Sequence, residues 1–164
     1  MSSYIALVVS VGVLAVAATW LFFSVDPVVA AHMQVWQAFI AWGCHYHCGG
    51  KITGTRNTIV CMSFGAVVGM TAGLLANGAF ASLGQFAAPV AVGLGAAVIC
   101  LASKVPLLGT IPASVYGFAS IAGLFLLGGL SPTRALLPTI LSIIVGAAFG
   151  YVSEAVAGAL AKKK

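Results

Sequence analysis

Ser142-Ile-Ile-Val-Gly146-Ala-Ala-Phe-Gly150-Tyr-Val-Ser-Glu154-Ala-Val-Ala-Gly158 is an apolar stretch with a single acid, and small residues recur in it at every fourth position. At about 100° of turn per residue, Ser142, Gly146, Gly150, Glu154 and Gly158 share one helix face. A face of small residues is where a second helix can approach closely. The stretch therefore reads as a membrane-spanning helix whose carboxylate points into protein rather than lipid.

The rest of the chain has the same character. Of its 164 residues, 62% are hydrophobic and 5% charged, and the mean hydropathy is +1.15. Those values exclude a water-soluble globular domain. A spanning helix needs about 20 apolar residues, so the chain has room for about six. The expected fold is all-α: a polytopic transmembrane helical bundle forming one integral membrane domain over residues 1–164, embedded in the lipid bilayer. The net charge of +5 is not a nucleic-acid signal, because three of the seven basic residues are Lys162, Lys163 and Lys164 at the C-terminal end. Such a tail is suited to anionic headgroups. Met1-Ser-Ser-Tyr4 brings no basic residue before the first apolar run, so that run is expected to be retained as a helix.

Six spans are expected, at about Tyr4 to Phe23, Val28 to Gly43, Thr58 to Ala79, Phe86 to Ala102, Ile111 to Leu127 and Leu136 to Leu160. Trp20, Phe22 and Phe23 form an interfacial aromatic cluster at the end of the first. Asp26-Pro27 then offers a cap and a first-turn proline for the second. That second span is the weakest, interrupted by His32, Gln34 and Gln37. Six spans place Lys51, Arg56, Lys104 and the terminal lysines on the side of the N-terminus, with only Arg134 opposite. The retention of Lys and Arg in cytoplasmic loops makes both termini cytoplasmic in a bacterial inner membrane. Cys44, Cys48, Cys61 and Cys100 then lie toward a reducing compartment, and their even number does not imply disulfides. A short similarity links Lys51, Gly54-Thr55 and Ser63 to Gly69 with Lys104, Gly109-Thr110 and Gly117 to Gly123, the kind of repeat that transporter folds contain.

Four motifs carry the chemistry. If the second helix continues through Cys44-His45-Tyr46-His47-Cys48, then Cys44, His47 and Cys48 share a face with His45 to the side. Thiolate and imidazole suit a transition metal, the one cofactor the sequence suggests, although no second Cys/His cluster completes a structural zinc pattern. The competing reading is an interfacial belt. Gln37, Ala41, Cys44 and Cys48 form a narrow polar stripe, suited either to a water-filled path or to hydrogen bonding by Gln37 between helices. Cys61, Gly65, Gly69, Gly73 and Asn77 repeat the small-residue row and read as a packing face, within the chain or between subunits. Thr110 is placed to cap a helix starting near Pro112, against the plainer reading of that segment as a loop. Glu154 has two competing roles: counter-charge for Lys51, Arg56 or Lys104, or gate or proton site in a solute path.

Cys48-Gly-Gly-Lys51 with Gly54, followed by Gly109-Thr110, Ala113, Phe118-Ala119 and Gly123, resembles the YcdZ-like family of small bacterial inner-membrane proteins. The resemblance implies a short multi-span protein and supplies no catalytic residues. Three functions stay open. The first is a small, oligomeric channel or transporter for a small solute or ion, lined by Gln37, Cys44 and Glu154 and packed through Gly65, Gly69, Gly73, Gly146, Gly150 and Gly158. The second is a metal-binding or redox accessory protein using Cys44, His45, His47 and Cys48. The third is a non-catalytic subunit of a larger membrane complex. An enzyme is not expected: the two acids, Asp26 and Glu154, fall on opposite sides of the bilayer, and no nucleophile set or phosphate loop is present.

Overall fold

The computed structural model describes residues 1–161, so the tail of Lys162, Lys163 and Lys164 and its expected headgroup contact lie outside the described residues. Seven α-helices follow one another: α1 (Ser3–Ser24), α2 (Asp26–Ala30), α3 (Val35–His47), α4 (Lys51–Asn77), α5 (Ala87–Ala102), α6 (Ile111–Leu127) and α7 (Pro132–Leu160). Turns of 3-10 helix at Ala81–Phe86 and Pro106–Leu108 precede α5 and α6, and no strand occurs among the described residues. Four helical stretches are long and apolar enough to cross a membrane: Ser3–Ser24, Lys51–Asn77, Ala81–Ala102 and Pro132–Leu160.

The second span departs from expectation. The chain is helical for one turn in α2, breaks over residues 31–34 where His32 takes φ 55°, and resumes as α3, which carries on through Cys44, His45 and His47. Gln34 at the break has no helical partner for its N–H, which donates to Ser142 Oγ of α7 at 2.9 Å. A side chain of a neighbouring helix thus satisfies the interrupted backbone. Asp26 is not the cap expected: Val25 holds that position, and Asp26 lies in the first turn. Thr110 does stand at the N-cap of α6, without a side-chain bond to the helix. The polar turn Lys51 to Asn57 is itself helical, so α4 begins well before Thr58. Ser131 caps α7, with Pro132 in its first turn, ahead of the expected Leu136.

Both glycine rows pack inside the chain. A β-carbon at Gly65 would overlap the Ser114 backbone of α6, and one at Gly117 the Met62 backbone of α4. One at Gly146 would overlap Ala38 of α3, and one at Gly150 would lie 2.7 Å from the His45 Cβ. The row of α7 ends there, because nothing lies within 4 Å of a β-carbon at Gly158.

These contacts come in pairs, and the pairing exposes a repeat. Thr58-Ile59, Gly65-Ala66 and Gly69 of α4 recur at the same spacing as Thr139-Ile140, Gly146-Ala147 and Gly150 of α7. Ala6, Val9 and Val11-Gly12 of α1 recur as Ala87, Val90 and Val92-Gly93 of α5. Five of the six buried residues of α3, Gln37, Ala38, Ala41, Cys44 and His45, match in spacing the buried Ala113, Ser114, Gly117, Ser120 and Ile121 of α6. Contacts exchange under the same matching. Gly65 on Ser114 answers Gly146 on Ala38; Gly69 against Ile121 answers Gly150 against His45; Gly73 against Pro132 at one end answers Glu154 against Lys51 at the other. The matching therefore pairs the unit α1–α3–α4 with the unit α5–α6–α7, with the contacts exchanged between them. The similarity expected from Lys51 and Lys104 is a different one: it equates α4 with α6, whereas the spacing of 81 residues matches α4 with α7.

Replacing Gly65 or Gly146 by Leu forces two backbones apart, an overpacking that costs about 1–3 kcal/mol or more. Gly158→Leu adds its side chain to open space. Thermal unfolding in mild detergent is expected to show a lowered midpoint for the first two variants and an unchanged one for the third; equal midpoints would contradict the crossings.

Candidate functional site

The two ends of the bundle are equivalent by the repeat and differ in content. At the end carrying the first turns of α1 and the last turns of α7, Ser10 Oγ donates to Ser153 O at 2.7 Å. Ser153 Oγ donates to Gly150 O and accepts from Trp42 Nε1 at 2.9 Å and from Tyr46 OH at 2.7 Å. Beside it, Glu154 Oε2 accepts the Lys51 backbone N–H at 2.6 Å and lies 3.1 Å from His45 Nε2. His45 is fully buried, and its Nδ1 is 3.1 Å from Thr55 Oγ1, which also reaches Lys51 O at 3.0 Å. The local sequence makes this cluster possible. Gly49 and Gly50 take φ +92° and +67° to turn α3 into α4, and a β-carbon at Gly50 would sit 2.8 Å from Glu154 Oε2.

Glu154 thus binds neither a lysine nor an arginine side chain among the described residues. Its partners are an imidazole and the first N–H of α4, where the helix dipole favours an anion. The cluster joins α1, α3, α4 and α7 at this end of the bundle.

At the opposite end the matching positions line a cavity of about 520 Å³. Gly69, Ala72, Gly73, Phe118, Ala122 and Pro132 lie on its wall, where the end carrying the Ser153 and Glu154 bonds has Gly150, Ser153, Glu154, Trp42, Tyr46 and Lys51. Six side chains or backbone groups that bond to one another at one end are thus replaced by small or apolar residues that leave room at the other.

Gln37 and Cys44 are both buried; Gln37 Nε2 donates to Ser120 O at 2.9 Å and to Thr139 Oγ1 at 3.0 Å, the interhelical role that competed with a water-filled stripe, and Cys44 lies at the edge of a recess shared with His47 and Tyr116. The Cys/His run does not converge. Cys44 and Cys48 have sulfurs 3.8 Å apart, whereas His45 turns to Glu154 and His47 Nδ1 lies 3.2 Å from Tyr116 OH. Among the described residues no group of three or more His, Cys, Asp or Glu side chains is placed to hold a metal ion. Cys61, on the row of α4, reaches Leu107 O at 3.5 Å before α6, as Ser142 reaches Gln34 before α3. The bonds of Ser153, Trp42, Tyr46 and Thr55 were not anticipated; the only sequence signal for them was their spacing around Glu154 and His45.

An all-helical bundle with four helices long and apolar enough to cross a membrane and large apolar side chains over its exterior marks a membrane protein. The chain belongs to the family described as protein of unknown function (DUF1097), whose model matches residues 8–158. No curated protein and no solved structure matches it.

Removing the Glu154 carboxylate frees the N-terminus of α4. With Glu154→Ala, amide hydrogen exchange at Lys51 to Gly54 is expected to accelerate about 10- to 100-fold, in line with the loss of a charged hydrogen bond, while exchange in the middle of α4 stays unchanged. Unchanged exchange at Lys51 would show that the carboxylate does not hold this end.

Proposed function

We propose that the protein is a small-solute transporter of the bacterial inner membrane, with six passes and both termini cytoplasmic. The observation that carries this reading is the equivalence of the closed cluster at one end and the cavity at the other. Two related units, each able to form either arrangement, give alternating access when they exchange conformations. The passes are α1, the interrupted α2–α3, α4, α5, α6 and α7. Three passes per unit orient the two units oppositely across the membrane, an inverted repeat.

The interruptions support the same reading. α3 begins level with Ser142, ten residues or about 15 Å into α7, and α6 begins near Cys61, the same distance into α4. Broken helices at membrane depth are tolerated where they are buried in protein or line a solute path. Lys51 and Arg56 lie at the closed end and Arg134 near the cavity, which makes the closed end cytoplasmic by the positive-inside rule. The resemblance to the YcdZ-like proteins agrees with this placement. Glu154, His45 and the Lys51 N–H then act as the cytoplasmic gate, and the burial of Gln37 and its bonds to α6 and α7 favour a carrier over a standing pore.

Equivalent reporters test alternation. In a chain with its native cysteines replaced, Ala76→Cys places a thiol on the cavity wall and Ala157→Cys places one at the matching buried position of the closed end. A membrane-impermeant maleimide is expected to label the first from outside and not the second from inside. Adding Glu154→Ala is expected to speed inside labelling about tenfold and to slow outside labelling, the lost bond shifting the population by about 1.4 kcal/mol. Labelling rates indifferent to Glu154→Ala would refute the gate, and faster inside labelling with no loss outside would refute alternation.

A further inference from the structure

Sulfur is gathered at one place in the bundle. Cys44 and Cys48, one turn apart on α3, hold their sulfurs 3.8 Å from each other. Cys44, Cys61 and Met62 are buried in a single cluster with Ala113 and Ile143, and Cys48 packs against it. The repeat supplies an internal comparison, because the positions matching Cys44, Cys48, Cys61 and Met62 are Ser120, Leu124, Ser142 and Ile143 in the second unit. Packing at these positions therefore does not demand sulfur. A recess lined by Cys44, His47 and Tyr116 opens beside the pair, and Cys48 is only half-buried, so the two thiols are within reach from outside the core.

Two hydroxyls next to these thiols have no partner. Thr58 Oγ1 stands beside Cys44 and Ser114 Oγ beside Cys61, and neither oxygen is hydrogen-bonded within the protein. Both residues are fully buried. A thiol is a weak acceptor, whereas a thiolate takes a charge-assisted hydrogen bond. The Thr58 hydroxyl is thus a donor whose partner appears when Cys44 loses its proton. A bare thiolate in this interior would be costly, and a bound cation removes that cost by deprotonating the sulfur it holds.

The donor set selects the ion. Thiolate sulfur suits copper(I) and other soft cations. His45 is engaged by Glu154 and Thr55, and His47 by Tyr116. No third His, Cys, Asp or Glu among the described residues is placed to complete a group with the pair, so the four ligands of a zinc site are not assembled. Copper(I) requires only two.

We infer that Cys44 and Cys48 form a two-thiolate site for a single copper(I) ion, with Thr58 as a positioning residue that donates to the Cys44 sulfur. Binding exchanges the two S–H protons for the metal ion, and no electron is transferred. The site goes beyond the transport reading and does not depend on it.

The test uses the full chain in mild detergent under anaerobic, reducing conditions, with copper(I) supplied as the complex of a chromophoric chelator and its transfer read from the loss of colour. The parent chain is expected to take one equivalent, as is Cys100→Ser, whose exposed thiol lies away from the pair on α5. Cys44→Ser and Cys48→Ser are each expected to take none, while unfolding in the metal-free state at the parent's midpoint. X-ray absorption at the copper edge is expected to show sulfur neighbours. Thr58→Val is expected to keep the equivalent with affinity lowered about tenfold, the loss typical of a group that supports a metal ligand. Zinc(II) offered at the same concentration is expected not to be taken. No transfer to the parent, transfer undiminished in both cysteine variants, only nitrogen or oxygen neighbours at the metal, or zinc held as tightly as copper would overturn the site. An unchanged affinity in Thr58→Val would overturn the part given to its hydroxyl.

Discussion

Everything in this bundle depends on how closely its helices cross. Between helices in lipid there is little hydrophobic driving force, and association rests on packing and on bonds between helices. Here the backbones meet at Gly65 and Gly117 between α4 and α6, and at Gly146 between α7 and α3. Only a residue without a β-carbon permits those approaches. They also set the register of the rest: once Gly146 lies on Ala38, Gly150 faces the His45 ring and Glu154 comes within reach of His45 Nε2 and of the Lys51 N–H.

The same crossings make the short α3 viable. Its thirteen residues are about 20 Å long, less than the roughly 30 Å of hydrocarbon. The exposed start of the helix is offset by Ser142, its polar side chain Gln37 by Ser120 and Thr139, and its far end by the turn at Gly49 and Gly50 that presents Lys51 to Glu154. An interrupted element of this kind holds its place through its neighbours rather than through its own length.

Helix content, the apolar class and the limits of α1, α5 and α6 were legible in the sequence, because uninterrupted apolar runs bounded by Pro, Gly and polar residues leave little choice. The packing role of Gly65, Gly69, Gly73, Gly146 and Gly150 was legible too, since spacing by four defines a face. The break after Ala30 was visible only as the polar residues His32, Gln34 and Gln37; that Ser142 would compensate it is a contact between residues far apart in sequence. The Cys-His-Tyr-His-Cys run drew attention to metal chemistry, whereas helical geometry sends His45 toward α7 and His47 toward α6. The repeat was sought around lysines, whereas the spacing of 81 residues matches Lys51 with Pro132 and Lys104 with Phe23. Basic residues are sorted by the side of the membrane, and an inverted repeat places equivalent positions on opposite sides.

That sorting also explains why the closed end and the cavity differ. Lys51 matches Pro132, Glu154 matches Gly73, and His45 matches Ile121. The polar member of each pair lies in the unit position that faces the basic end, and the apolar member in the position that faces Arg134. A carboxylate at Gly73 would find Pro132, which has no N–H to offer, where Glu154 finds the amide of Lys51. One end can therefore be latched by a charge and a helix terminus, and the other only by apolar contact. Two related units thereby differ in how their ends are held, one by the bonds of Glu154 and the other by packing alone.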